Sequence, residues 1–177
     1  GNTRFNDNKR LHIFTADVAS GSIKQITDGV FYEHSIDWSP SGSEILFISN
    51  REPDSDIFHN YDIFAVRPAD SSIRRITATE HAEYMPRWSP DGKRIAYIGT
   101  RRGLTDLETT MEDTHVWTVN ADGSNRREVG RVVDNRQGGP QWSPEGAHVY
   151  FTALDRGTVR LMKLPAGGGS AEAVVKD

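Results

Sequence analysis

Three apolar runs punctuate the chain: Ile45-Leu46-Phe47-Ile48, Ile95-Ala96-Tyr97-Ile98 and Val149-Tyr150-Phe151. None alternates apolar with polar, which predicts strands buried on both faces. Each run follows the same five-residue signature: Trp38-Ser39-Pro40-Ser41-Gly42, Trp88-Ser89-Pro90-Asp91-Gly92 and Trp142-Ser143-Pro144-Glu145-Gly146. Proline presets φ at the second turn position, serine suits the first and glycine the last. The signature therefore predicts a type I turn between a strand ending at the tryptophan and the apolar strand. The tryptophans lie 50 and then 54 positions apart, so the chain is built of repeats.

A hairpin pattern recurs in the same register. Residues 11–16 and 23–27 form its first copy, followed by 62–66 with 73–77, 115–119 with 126–129, and 161–164 with 171–174. One unit is thus four antiparallel strands, the period of a β-propeller blade. Pro86 and Pro140, each two places before a tryptophan, place the first strand of the unit at a sheet edge. Lys24, Arg74, Arg75, Arg126 and Arg127 fall on the fourth strand, where charge protects an outer edge from aggregation.

The expected fold is all-β, a partial β-propeller of about three and a half four-stranded antiparallel blades. A polar segment (1–10) precedes an outer half-blade (11–27) and three blades (28–77, 78–130 and 131–177). Propellers close with roughly four to eight blades. The expectation is that the chain belongs to a larger propeller, or that a second copy closes the ring at about seven blades.

Composition narrows the function classes. The chain has 177 residues, 26% charged, with a net charge of −4. That suits one domain with a substantial core and gives no basic footprint for nucleic acid. Cysteine is absent, which excludes disulfides and thiolate metal sites and leaves both the cytoplasm and the periplasm open. No apolar run approaches the roughly 20 residues of a membrane span. The chain does not begin with Met, as expected of a processed chain or of a piece of a longer one.

The run Trp-Ser-Pro-Asp-Gly-Lys-Arg-Ile-Ala-Tyr (88–97), followed by Val-Trp-Thr-Val-Asn-Ala-Asp-Gly-Ser-Asn-Arg-Arg (116–127), resembles the WD-like repeats of TolB and of the prolyl oligopeptidase family. The resemblance covers residues 11–175. The loop Ile48-Ser49-Asn50-Arg51-Glu52 leading to Asn60-Tyr61-Asp62 looks like the dipeptidyl- and acylaminoacyl-peptidase group. There a propeller restricts access to an α/β-hydrolase domain. The resemblance implies peptide or protein partners, and a hydrolase domain and further blades elsewhere in the parent chain. No Gly-x-Ser-x-Gly nucleophile elbow occurs in these residues, so no catalytic residue is assigned to them. The other reading is a TolB-like protein-binding propeller without enzymatic activity.

Strand polarity puts the two-to-three and four-to-one connections on one face, and these are expected to be long. Long loops on a rigid scaffold are where binding concentrates. They cover residues 27–34, 50–60, 78–84, 100–114 and 130–138. Thr105 and Glu108 form a capping-box pattern, with Leu104, Leu107 and Met111 on one helical face and Glu108 and Glu112 four apart, predicting a short helix. Dipeptidyl peptidases hold the substrate amine with a glutamate pair from a propeller helix; the resemblance implies that role for Glu108 and Glu112, which depart from the family pattern in not being adjacent. A solvated loop helix is the plain alternative.

Arg101 and Arg102 open the same loop. Tyr84 and Arg87, beside Trp88, are further candidates for binding. Asp37, Arg87 and Gln141 occupy equivalent positions before the tryptophans and either line a polar channel or hydrogen-bond neighbouring blades. Asp54, Asp56 and Asp62 lack the spacing of a calcium loop, and the six histidines lack ligand spacing, so no metal or cofactor is expected. The signature residues Trp38, Pro40, Gly42, Trp88, Pro90, Gly92, Trp142, Pro144 and Gly146 are structural.

Overall fold

The computed structural model describes residues 9–53, 55, 60–100 and 113–175. Its strands form four antiparallel sheets. The first pairs β1 (Phe14–Ala16) with β2 (Ile23–Gln25). The second runs β3 (His34–Trp38), β4 (Ile45–Ser49), β5 (Asp62–Val66), β6 (Ile73–Arg75). The third runs β7 (Glu83–Trp88), β8 (Arg94–Thr100), β9 (Thr114–Asn120), β10 (Arg127–Glu128). The fourth runs β11 (Gln137–Trp142), β12 (His148–Asp155), β13 (Thr158–Pro165), β14 (Glu172–Ala173). No sheet closes on itself, and the arrangement is a half-blade followed by three complete propeller blades.

The three signature turns are superimposable in chemistry. Ser39 N–H donates to Glu44 O at 2.8 Å, Gly42 N–H to Ser39 O at 2.9 Å, and Glu44 N–H to Ser39 Oγ at 3.0 Å. Ser89 and Ser143 make the same three bonds in their blades. The glycines have φ of 71°, 68° and 71°, the left-handed region that a side chain resists. The signature is a corner.

Register explains the unbroken apolar runs. Ile45 and Phe47 of β4 pack with Phe64, Val66, Ile13 and Ile26 toward the half-blade. Leu46 and Ile48 pack with Ile63, Ala65 and Ile76 toward the following blade, against Trp88, Ile95, Tyr97 and Val119. Successive side chains on a strand point to opposite faces, and here both faces meet a neighbour. The next interface repeats the arrangement with Ala96, Ile98, Val116 and Val129 facing Val149, Phe151 and Leu164.

The first strands are sheet edges, as Pro86 and Pro140 require. Each breaks register once, between His34 and Asp37, Tyr84 and Arg87, and Gly138 and Gln141. Ser35, Met85 and Gly139 have φ of 57°, 52° and 65° at these bulges, each three places before a tryptophan.

One expectation is extended and one corrected. The fourth strands lie at sheet edges as expected, and their bases also make specific contacts. Arg74 makes a two-pronged pair with Glu44, both bonds 2.8 Å, and donates to Ala121 O in the next blade at 2.6 Å. At the equivalent position Lys24 Nζ donates to Pro68 O at 2.6 Å. Arg75 pairs with Asp62 and Glu52, and Arg126 turns inward to the Tyr97 hydroxyl at 2.7 Å. Arg74 and Lys24 tie neighbouring hairpins because a long basic stem reaches across the narrow gap between sheets, while Arg75 and Arg126 brace their own blades. The two-to-three connections are not all long. In the last blade β12 passes to β13 through Arg156 and Gly157 alone, with φ of 48° and 83°, a two-residue turn of the kind that matches strand twist.

The ends of the array are open. Trp88, set against a complete blade, is 7% exposed, whereas Trp38, set against the half-blade, is 48% exposed. Phe14, Ile23 and Ile36 are exposed on that side, and Leu161 and Val174 on the other. Trp88→Ala is expected to lower the unfolding free energy by about 3–5 kcal/mol, and Trp38→Ala by less than half as much, in urea denaturation of the chain. Equal losses would mean that something covers Trp38.

Candidate functional site

The connections on the long-loop face begin at a polar knot that recurs at each blade boundary. At the first, Ile13 N–H donates to Thr27 Oγ1 at 2.9 Å and the Thr27 hydroxyl donates to Glu33 Oε2 at 3.1 Å. His12 Nδ1 lies 2.9 Å from the same oxygen, and Arg51 donates to Glu33 Oε1 at 3.0 Å. At the second, Ile63 N–H donates to Thr77 Oγ1 at 2.8 Å, and Thr77 and Thr79 donate to Glu83. Arg126 lies 3.7 Å from Glu83 Oε1.

At the third boundary Gly130 replaces the threonine and Gln137 the glutamate. Gln137 Oε1 takes the Val116 N–H directly at 2.9 Å, and its amide donates to Gly130 O and Val133 O at 2.8 and 2.7 Å. A Cβ on Gly130 would stand 2.1 Å from Gln137 Oε1, so the two exchanges belong together.

Burial pushes the Glu83 carboxyl up to about 7 from its ordinary 4.5, against the hydrogen bonds from Thr77 and Thr79 and the Arg126 charge. Burial also pushes the Tyr97 hydroxyl up. The sequence analysis does not single out the threonines, the glutamates or the glutamine of the knots. Their signal was nonetheless present, since Glu33, Glu83 and Gln137 each stand five places before a signature tryptophan.

Beside the first knot lies a cleft of about 240 Å³ lined by Arg10, Phe31, Tyr32, Asn50 and Tyr61 among others. Arg10 donates to Val30 O at 2.9 Å and to the Tyr32 hydroxyl at 2.8 Å, with its guanidinium carbon 4.7 Å from the Tyr32 ring centre. Tyr61 continues the cleft into a row of rings. Its centroid is 5.4 Å from His34 and 6.0 Å from Tyr84. Burial raises the hydroxyls of Tyr61 and Tyr84 and lowers the His34 imidazole, so all three present neutral surfaces near pH 7. The cleft and the row thus bring a guanidinium and several ring faces together on one surface.

The sequence candidates distribute as follows. Tyr84 is half-buried in the ring row and packs against both blade interfaces. Arg87, on the same strand but beyond the bulge, turns away from it. Its guanidinium lies 3.9 Å from Asp37 and donates to Pro86 O at 3.3 Å. Asp37 accepts from Trp88 N–H at 2.8 Å, and Trp142 Nε1 donates to Arg87 O at 3.0 Å, so this layer links adjacent blades. Gln141 is exposed. Arg101, Arg102, Glu108 and Glu112, with the helix expected around them, lie outside the described residues, as do Asp54 and Asp56. Asp62 is occupied by Arg75 and by Thr79 N–H at 3.1 Å. His12 and His115, at equivalent positions, each hold a glutamate through Nδ1. Among the described residues no group of three His, Asp or Glu side chains could hold a metal ion, and no helix is long and apolar enough to cross a membrane.

No family model matches the sequence and no curated protein matches it. Solved structures do. A protein assigned as TolB from Agrobacterium tumefaciens is 22% identical with a TM-score of 0.69, over 93% of this chain and 56% of that one. A puromycin-hydrolyzing peptidase of Mycobacterium tuberculosis is 18% identical with a TM-score of 0.69, over 94% and 27%. An oligogalacturonate lyase in complex with manganese is 15% identical with a TM-score of 0.70, over 93% and 47%. The chain thus spans between about a quarter and just over half the length of these proteins.

Two outcomes test the knots. A carboxyl raised on folding binds a proton that the unfolded chain releases between pH 4.5 and about 7, so its contribution is present at low pH and is lost as pH rises through that window. Glu83→Gln is expected to flatten this slope and to gain up to ~3 kcal/mol over the parent chain at pH 8, read from denaturant midpoints. At the third boundary, Gly130→Thr and Gln137→Glu are each expected to destabilise the chain. The double variant recovers at least ~1 kcal/mol relative to the sum of the singles in a double-mutant cycle. What this chain shares with its structural neighbours, TolB proteins and peptidases among them, is the β-propeller fold.

Proposed function

We propose that the chain is a non-catalytic part of a β-propeller that gates and positions peptide substrates for a separate α/β-hydrolase domain, in a serine peptidase of the prolyl oligopeptidase family. The observation that carries this reading is the long-loop face, where the Arg10 cleft runs into the His34–Tyr61–Tyr84 row beside the first strands. Such a surface offers ring faces and one held cation to an extended peptide, without a reacting group. The exposed apolar residues at both ends of the array, Phe14 and Trp38 on one side and Leu161 and Val174 on the other, are the surfaces that further blades would cover. A TolB-like protein-binding propeller is the second reading, favoured by the 22% identity to the Agrobacterium protein.

Extending the reading frame in both directions separates the two. A following hydrolase domain with a Gly-x-Ser-x-Gly elbow is expected. A secretion signal and a small α/β domain upstream, with no hydrolase, would overturn the first reading in favour of the second. In the full enzyme, replacing Glu108 and Glu112 together by Gln should lower kcat/KM at least ~10-fold for peptides with a free amine and leave amine-blocked peptides unaffected. An unchanged ratio would remove the two glutamates from the site.

A further inference from the structure

The last blade also differs from its predecessors on the face that meets the preceding blade. Register makes Phe64, Trp117 and Met162 equivalent, since they pair with Phe47, Tyr97 and Phe151. Arg75, Glu128 and Ala173, their partners on the fourth strand, are equivalent as well. In the two earlier blades an aromatic ring fills this spot and a guanidinium lies over it. Arg51 is 4.9 Å and Arg75 5.9 Å from the Phe64 ring centre, and Arg126 is 3.9 Å from Trp117. In the last blade a thioether and a methyl replace the ring and the longer partner, and the spot is a cavity of about 310 Å³.

The composition of that cavity matches what is missing from it. Met162, Ala153 and Ala173 line it from the sheet and Val133 from the preceding connection. At its rim, where Asp134 and Asn135 also lie, Asp155 Oδ2 holds Arg160 Nε at 3.0 Å, which fixes a guanidinium beside the apolar floor. Methionine sulfur and guanidinium are both favourable neighbours of a ring. Because the β12–β13 connection is only Arg156 and Gly157, no long loop of this blade lies over the opening.

We propose that this cavity is a subsite for an aromatic side chain of a bound peptide, which would take the place that Phe64 and Trp117 fill internally. Arg160 would supply the guanidinium and Met162 the floor. The proposal rests on the peptide-binding reading only for where the ring comes from. The cavity itself is a property of this chain.

The test uses the chain with 13C-methyl-labelled methionine and the probe N-acetyl-phenylalaninamide, with N-acetyl-leucinamide as control. The Met162 methyl resonance is expected to move upfield and saturate with the phenylalanine probe, while Met85 stays put. Ala173→Arg, which refills the spot as in the second sheet, should weaken binding at least ~10-fold with Met85 unmoved, showing that the fold is kept. A Met162 signal that does not respond at millimolar probe, or that responds equally to the leucine probe, would overturn the proposal. These probes need no hydrolase domain, so their result does not depend on the proposed function. If the phenylalanine probe binds but Ala173→Arg leaves the full enzyme's KM for phenylalanine peptides unchanged, the subsite stands and the peptide-positioning function fails.

Discussion

The two middle sheets of this protein are apolar on both faces, and neither face is stable in water alone. That single constraint forces the sheets into a row, each covering its neighbour, with Leu46 and Ile48 serving one interface and Ile45 and Phe47 the other. It also explains why Trp88 is buried and Trp38 is not. Trp88 meets a four-stranded neighbour, while Trp38 meets a sheet with only β1 and β2.

Apolar contact alone does not fix how adjacent blades are aligned. The polar knots do, because each one joins a backbone N–H of one blade to a side chain at the start of the next blade's first strand. The knots solve a shared problem in two ways. Glu33 and Glu83 are buried carboxylates and each has an arginine near it, Arg51 and Arg126. Gln137 is neutral, reaches the N–H itself and occupies space that only a glycine at position 130 leaves free. A threonine there would need a carboxylate, and a carboxylate there would need a cation.

The same fold carries a TolB, a peptidase and a lyase, so architecture does not select a function. Function has to be sought where the blades stop being equivalent. Two such places lie on the long-loop face. One is the aromatic row beside Arg10, and the other is the last blade, where Met162 and Ala173 leave open a volume that its predecessors fill.

The signature turns, the strand order and the open ring were legible in the sequence because they depend on local chemistry. Proline and glycine at fixed offsets set the corner, and an unbroken apolar run requires burial on both sides. The edge position of Pro86 and Pro140 followed from their missing N–H groups. The roles of Thr77, Glu83 and Arg74 were not legible in that way. A threonine or an arginine near a strand end looks like surface when its partner lies in another blade. Only the packing of one sheet on the next brings Glu83 to Thr77, or Arg74 to Ala121. Local sequence determined the blade. The contacts between blades, whose partners lie up to about fifty positions away in the chain, were decided by the tertiary structure, because only there does a long side chain find the group that compensates its burial.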